Sequence, residues 1–341
     1  MLAKKIYLLI DYRGMFYSST REVAGSMNVL TVKTLLEAEG YEVFVKRFAD
    51  IDFRSEDYHS ARVLYQSSED PNLRYKDYIE DVLLGLQLAG ARLIPSFMHF
   101  RAHHNKVFME ILRDLGNLPE IQSIGSRKYG ALEELERDID SICYPVVVKP
   151  GAGSRSEGIA LCGDRDALIG ASRKISRSFS SVNFRGWFRG FLSGEKYKSI
   201  SSYRGKFIVQ NYIEGLCGDY KVLVYADRYY VLRRMNRDND FRASGGGRLS
   251  YPITTPSVVL GYAEKVFAHF KVPFASLDIA VRHDIPFLLE FQFVSFGQYA
   301  LEKSDHYYTK EGSVWVRIDD KSDLEETFVY AVATFLKIDE S

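Results

Sequence analysis

Near the C-terminus the chain reads SLDIAVRHDIPFLLEFQF, with Asp278 on the first apolar run and Glu290 and Gln292 on the second. Side chains alternate along a strand, so Glu290 and Gln292 share a face. A turn centred near Asp284 then sets Asp278 opposite Glu290. Carboxylates inside so apolar a segment need a partner, because an isolated buried charge is costly. Two partners suit them: a hard divalent cation such as magnesium, which takes one or two carboxylates and leaves its other positions to water and phosphate, or nearby arginines. A second cluster is Tyr144-Pro145-Val146-Val147-Val148-Lys149-Pro150 followed by GAGSRSEG. Gly151, Gly153 and Gly158 permit tight backbone paths, and bare amides with the hydroxyls of Ser154 and Ser156 can wrap phosphate oxygens. A plain turn is the competing reading. The lysine precedes the glycines, so the loop is neither a Walker motif nor GxGxxG.

Further along, FIVQNYIEG is a strand able to offer backbone groups and the Gln210 side chain to an adenine edge, and Asp219 follows Gly218 where a carboxylate could meet a ribose. Arg233 and Arg234 end the strand YYVLRR, and Arg242 lies in DFRASGGG. Arginine suits a planar fork on phosphate or carboxylate, although a single arginine is most often a surface charge.

The elements that must position these groups fall into two patterns. KKIYLLIDYRG is a buried strand and loop; Val29 to Gly40 is helical and ends in glycine; Tyr41 to Val45, Ala61 to Tyr65 and Ala91 to Ile94 are strands, with a helix over Tyr75 to Leu88. Strands alternating with helices predict an α/β lobe with an open parallel sheet over roughly the first 100 residues. Asn105 is a helix N-cap. Val107, Phe108, Ile111, Leu112 and Leu115 fall on one helical face, and Gly116 with Pro119 stops the helix. From there short strands and glycine-rich loops predict an α+β region. The stretch Ser172 to Lys206 is dense in serine, basic and aromatic residues, which reads first as a solvated face and otherwise as a binding surface or an ordering loop.

At 341 residues the chain suits two or three lobes. Its 45 basic residues balance 45 acidic ones, so nucleic acid or an anionic membrane would have to be met by a local patch and neither is expected. Cys143, Cys162 and Cys217 are too few and too scattered for a disulfide framework or a zinc site. Asp11 ends the first apolar run after five residues, Ile6 to Ile10, too short for a signal peptide or a membrane span. A cytoplasmic protein is expected.

Taken in order, HNK, VVVKPGAGSRSEG, VQNYIEG, LRR, DFRAS, SLDIAV and LLEFQF resemble the ATP-grasp superfamily, most closely its branch of ribosomal-protein glutamate ligases and glutathione synthetase-like peptide ligases. The resemblance covers roughly residues 100 to 300. It implies a pre-ATP-grasp domain over 1–100 and an ATP-grasp domain over 101–341, with a lid subdomain about 126–209 and a catalytic subdomain about 210–341. By the same resemblance Lys106 and Lys149 meet the phosphates of ATP, and the loop carrying Gly153, Ser154, Ser156 and Gly158 covers them. Gln210, Asn211 and Ile213 line the adenine site, and Asp219 is either the ribose acid or a neighbouring structural acid. Arg234 and Arg242 match the arginines near the γ-phosphate and the acyl phosphate, while Asp278, Glu290 and Gln292 match the ligands of Mg2+, or of Mn2+ in its place. Gln292 and Ser244 stand where the resembling proteins carry asparagine, and Asn211 where an acid is common.

The implied chemistry is ATP-dependent joining of a carboxylate to an amine through an acyl phosphate, with small-molecule or peptide substrates and a homodimer allowed. Positioning and charge stabilisation do most of such catalysis. A phosphotransferase on the same scaffold and a nucleotide-binding protein without turnover are the alternatives.

Overall fold

The computed structural model describes residues 4–17, 26–153, 157–178, 200–237, 240–243 and 248–339, and it divides into two compact units, Met1–His103 with Leu216–Ser341 and, separately, His104–Gly215. Among the described residues no helix is long and apolar enough to cross a membrane.

The first unit begins with β1 (Lys4–Ile10), the short pair β2 (Phe16–Tyr17) and β3 (Ser26–Met27), α1 (Val29–Ala38), β4 (Tyr41–Arg47), β5 (Arg62–Leu64), α2 (Arg74–Leu88), β6 (Arg92–Ile94) and α3 (Phe97–Ala102). The expected open parallel sheet is present, in the order β4-β1-β5-β6. Parallel neighbours need long crossovers, and α1 and α2 supply two of them. Asn28 starts α1 by accepting the Thr31 N–H at 3.1 Å. On α3, His99 lies edge-on to Phe293 at 4.7 Å and to Phe270 at 6.2 Å, with Nδ1 3.1 Å from the Ser96 hydroxyl. Burial among these rings pushes its imidazole down to about 4.

The second unit holds α4 (Lys106–Leu115), β7 (Ser126–Tyr129), α5 (Leu132–Asp138), β8 (Val146–Pro150), β9 (Ala160–Cys162), α6 (Arg165–Ser176) and β10 (Phe207–Asn211). Its sheet is antiparallel throughout, ordered β7-β10-β8-β9, over a core that includes Leu135, Val148, Leu168 and Phe207. Asn105 caps α4 as the sequence predicts, accepting the Phe108 N–H at 3.3 Å. The buried side of that helix is unexpected. Val107, Phe108, Ile111 and Leu112 are only half-buried and Leu115 is exposed, whereas Lys106, Met109, Glu110 and Arg113 are buried. Arg113 donates to Glu110 at 3.1 Å and to the Ile121 carbonyl at 2.8 Å, and Ser126 donates to Glu110 at 2.6 Å, so hydrogen bonding sustains a polar interface that periodicity alone assigns to solvent.

The first unit resumes with β11 (Gly218–Tyr225), β12 (Arg228–Met235), β13 (Leu249–Ser250), α7 (Ser257–Phe270), β14 (Phe274–Arg282), β15 (Ile285–Gln292), α8 (Tyr299–Lys303), β16 (Tyr307–Glu311), β17 (Val314–Ile318) and α9 (Leu324–Asp339). These strands form an antiparallel sheet, β15-β14-β11-β12-β16-β17, with β13 beside β12. Ile6, Leu8, Leu223, Tyr225, Phe274 and Phe328 belong to one core, so the parallel sheet and this antiparallel sheet share their packing.

Candidate active site

The glycine-rich loop is rooted in the second unit by three hydrogen bonds. The Gly151 N–H donates to the Lys206 carbonyl at 2.8 Å, the Lys106 N–H donates to the Gly151 carbonyl at 2.8 Å, and Lys106 Nζ donates to the Gly153 carbonyl at 2.8 Å. A Cβ at Gly151 would come within 2.7 Å of the Lys206 carbonyl oxygen, so close approach of two chain segments, rather than a left-handed turn, demands glycine there. Gly153 and Gly158 do carry positive φ, of 121° and 69°. Ser154 and Ser156 lie outside the described residues, as does the middle of the basic stretch, 179–199.

Lys149, near the end of β8, donates from Nζ to Gln210 Oε1 on β10 at 2.6 Å. That contact occupies the Gln210 oxygen, while its buried Nε2 has no hydrogen-bond partner among the described residues, an orphan donor that a ligand acceptor would satisfy. Asn211 is exposed, its backbone N–H tied to the Gly125 carbonyl at 2.9 Å, and Ile213 is half-buried. Thus Lys106, Lys149, Gly153 and Gln210 are joined by direct contacts or by one strand end.

In the first unit the β14–β15 hairpin sets Asp278 opposite Glu290 and Ser276 opposite Gln292, as expected, but it reaches that pairing through a register shift between Asp278 and Ile279 that leaves Leu289 as an extra residue on β15. Its turn is just His283 and Asp284, at φ of 48° and 62°, the left-handed pair of a two-residue hairpin. The neighbouring register sets Lys221 opposite Asp278 and Asp219 opposite Arg234. One sheet face therefore carries a charged row from β15 to β12.

Within that row Arg234 binds Asp219 bidentately, Nε to Oδ1 at 2.6 Å and one terminal nitrogen to Oδ2 at 2.8 Å, and that same nitrogen reaches Asp278 Oδ2 at 2.8 Å. The side chains are 10%, 8% and 18% exposed for Arg234, Asp219 and Asp278. Lys221 Nζ stands 3.6 Å from Asp278 Oδ1 and donates to the Ser276 hydroxyl at 2.8 Å. Gln292 Nε2 is 3.2 Å from Glu290 Oε1. So Asp278 does pair with an arginine, one of the two partners open on the sequence, yet among the described residues its buried Oδ1 makes no hydrogen bond. An orphaned carboxylate oxygen next to Glu290 and an amide is a donor set of hard oxygens that fits magnesium.

Electrostatics divide the two acids. Burial alone would raise the Asp278 carboxyl, but Arg234 and Lys221 outweigh it and hold the group at about 2. Asp219 has Arg234 as its close cation and is pushed up by burial, which the guanidinium only partly offsets. Burial acts to lower the Arg234 guanidinium, and Asp278 with Asp219 raises it instead. Gly218 makes the pairing possible: a Cβ there would lie 2.1 Å from the Arg234 carbonyl oxygen, so only glycine lets β11 run this close to β12.

Arg242 is held elsewhere, by Asp240 two residues before it, at 3.0 Å and 2.7 Å, and that contact lowers the Asp240 carboxyl. Ser244 lies outside the described residues. Arg233, on the opposite sheet face, covers the Tyr220 ring at 4.4 Å. Sequence reasoning missed Lys221, although the alternation Asp219-Tyr220-Lys221 puts it on the acid face.

A scan against protein-family models and a search of curated proteins find no match. Solved structures do match over nearly the full chain. A RimK domain ATP-grasp protein from Sphaerobacter thermophilus is 15% identical with a TM-score of 0.52, covering 96% of this chain and 98% of that one. D-cycloserine synthetase DcsG is 13% identical with a TM-score of 0.52, covering 97% and 99%. The D-alanine–D-alanine ligase of Bacillus anthracis complexed with ATP is 14% identical with a TM-score of 0.52, covering 100% and 99%. Identity this low speaks to architecture alone, and on that ground, with a parallel sheet followed by two antiparallel sheets in matches that cover nearly the whole of both chains, the chain has the ATP-grasp fold.

Proposed function

We propose that the chain is an ATP-dependent carboxylate–amine ligase. The observation that carries this reading is the Asp278–Glu290 register pair, one of whose oxygens lacks a hydrogen bond, beside a buried arginine in an ATP-grasp fold. The structural similarity to a D-alanine–D-alanine ligase complexed with ATP supports ATP as the nucleotide. In this reaction an oxygen of the substrate carboxylate takes the γ-phosphoryl group of ATP and ADP leaves. The amine nitrogen then attacks the acyl carbon, the bond from that carbon to the phosphate oxygen breaks, and phosphate departs as the nitrogen gives up a proton. Acids and amines of small-molecule or peptide size are the substrate class.

In this reading Lys106 and Lys149 hold the phosphates, and the loop of Gly153, Ser154, Ser156 and Gly158 excludes water that would hydrolyse the acyl phosphate. Gln210, Asn211 and Ile213 flank the base. Asp219 serves as the acid that orients Arg234, a role its bidentate contact and burial support better than ribose binding. Arg234 and Arg242 stabilise charge on the transferring phosphoryl group and the acyl oxyanion. Asp278, Glu290 and Gln292 would hold Mg2+ or Mn2+, which neutralises charge on the phosphate oxygens when bound. The division into 1–100, 101–341, lid 126–209 and catalytic part 210–341 belongs to the same proposal.

The test is a pairwise screen of carboxylic acids and amines for ADP release, with hydroxylamine as a trap. A ligase yields ATP-dependent hydroxamate from the responsive acid. ADP without hydroxamate means phosphoryl transfer to a hydroxyl, and no ADP with any pair means nucleotide binding without turnover; either result refutes the proposal.

A further inference from the structure

Lys221 is the one charged member of the β11–β14–β15 row that the proposed reaction leaves without a task. Its ammonium faces Asp278 from the opposite position on β11, 3.6 Å from Oδ1, beyond hydrogen-bond reach. What fixes it there is Ser276, whose hydroxyl accepts from Nζ at 2.8 Å. The cation thus stands where its charge is felt by Asp278 while the oxygen it faces makes no hydrogen bond among the described residues. Asp219, Asp278 and Glu290 carry three negative charges, and Arg234 with Lys221 carries two positive ones. A divalent cation therefore overshoots neutrality here, turning a row of one net negative charge into one of one net positive charge. The excess is removed when anionic phosphates arrive.

We propose that Lys221 is a positioning residue that acts as a resident counter-cation: it competes electrostatically with a divalent metal for Asp278 and keeps metal binding weak until nucleotide phosphates are present. The inference rests on the ligase reading only through the metal site. Without metal, Lys221 keeps the acids compensated; with metal alone, it opposes binding; with phosphate oxygens nearby, its charge becomes favourable. A purely structural lysine would give the first effect and not the second.

The experiment titrates the full chain, free of nucleotide, with Mn2+ and follows free Mn2+ by electron paramagnetic resonance. Lys221→Met, which keeps length and removes charge, should tighten Mn2+ binding by about tenfold, the size expected for losing one unit charge a few ångströms from a partly buried ligand. Lys221→Arg should bind like the wild type. If Lys221→Met does not fold, Lys221→Gln removes the charge while keeping a polar group beside Ser276 and should shift affinity in the same direction. Equal Mn2+ affinity in the charge-removing and wild-type chains, with Asp278→Asn abolishing binding, overturns the role of Lys221 while leaving the metal site standing. Wild-type affinity in both Asp278→Asn and Glu290→Gln overturns the metal site and this proposal together.

Discussion

His99 offers the sharpest physical test of the packing beside the acid-bearing strand. Its ring lies against Phe293, the residue that follows Gln292, and against Phe270 on α7. Burial takes the imidazole from its ordinary 6.5 down to about 4. Between those values the unfolded chain binds a proton that the folded chain refuses, so stability rises with pH across the interval and is lost as pH falls. With each pH unit worth about 1.4 kcal/mol, lowering the pH from about 7 to about 5 should remove about 2 kcal/mol through this one side chain. The perturbation is His99→Phe, which fills the aromatic space without a titrating group. Urea unfolding of the wild type and the variant at both pH values measures the difference, and the variant should lose about 2 kcal/mol less than the wild type on acidification. An NMR titration of the His99 ring should show no charging above about pH 5. A ring that titrates near 6.5, or a variant with unchanged pH dependence, would refute the burial argument.

Arg234→Met removes the guanidinium between two acids and leaves Asp219 without its bidentate partner; breaking a buried ion pair in this way should cost about 3–5 kcal/mol, read from denaturant midpoints. Gly218→Ala should lose about 2–3 kcal/mol, because a Cβ 2.1 Å from the Arg234 carbonyl forces β11 and β12 apart. Its circular dichroism should stay native at low temperature, and a variant as stable as the wild type would show that the close approach is not needed. Lys149→Met should weaken ADP binding by about tenfold or more in calorimetric titrations, the value of one charge-assisted hydrogen bond. Glu290→Ala should cut ADP release from a responsive substrate pair by at least about a hundredfold; release at the wild-type rate removes Glu290 from the reaction.

Much of the arrangement is legible in one dimension. Apolar alternation and a short polar turn place Asp278 and Glu290 on paired strands, yet from a two-residue turn strict alternation would oppose Asp278 to Leu289, and the register shift between Asp278 and Ile279 is what brings Glu290 across from it. The N-cap of α4, the parallel sheet of the N-terminal strands and the strand ending in Lys149 follow from equally local rules. Partner choice does not. Asp219 binds Arg234, 15 residues away, because β11 and β12 pair in the register that opposes them, and that register is permitted by a glycine whose importance shows only when another backbone lies against it. The buried side of α4 is likewise set by which polar groups find partners, Glu110 with Arg113 and Ser126, and not by its apolar periodicity. Sequence by itself therefore determined the elements and the types of chemistry they can carry, because propensity and side-chain alternation are properties of neighbours along the chain. Only the tertiary structure decided which charges meet, leaving Asp278 between Arg234 and Lys221 with one oxygen that makes no hydrogen bond among the described residues, because charge compensation depends on distances between strands that are far apart in the sequence.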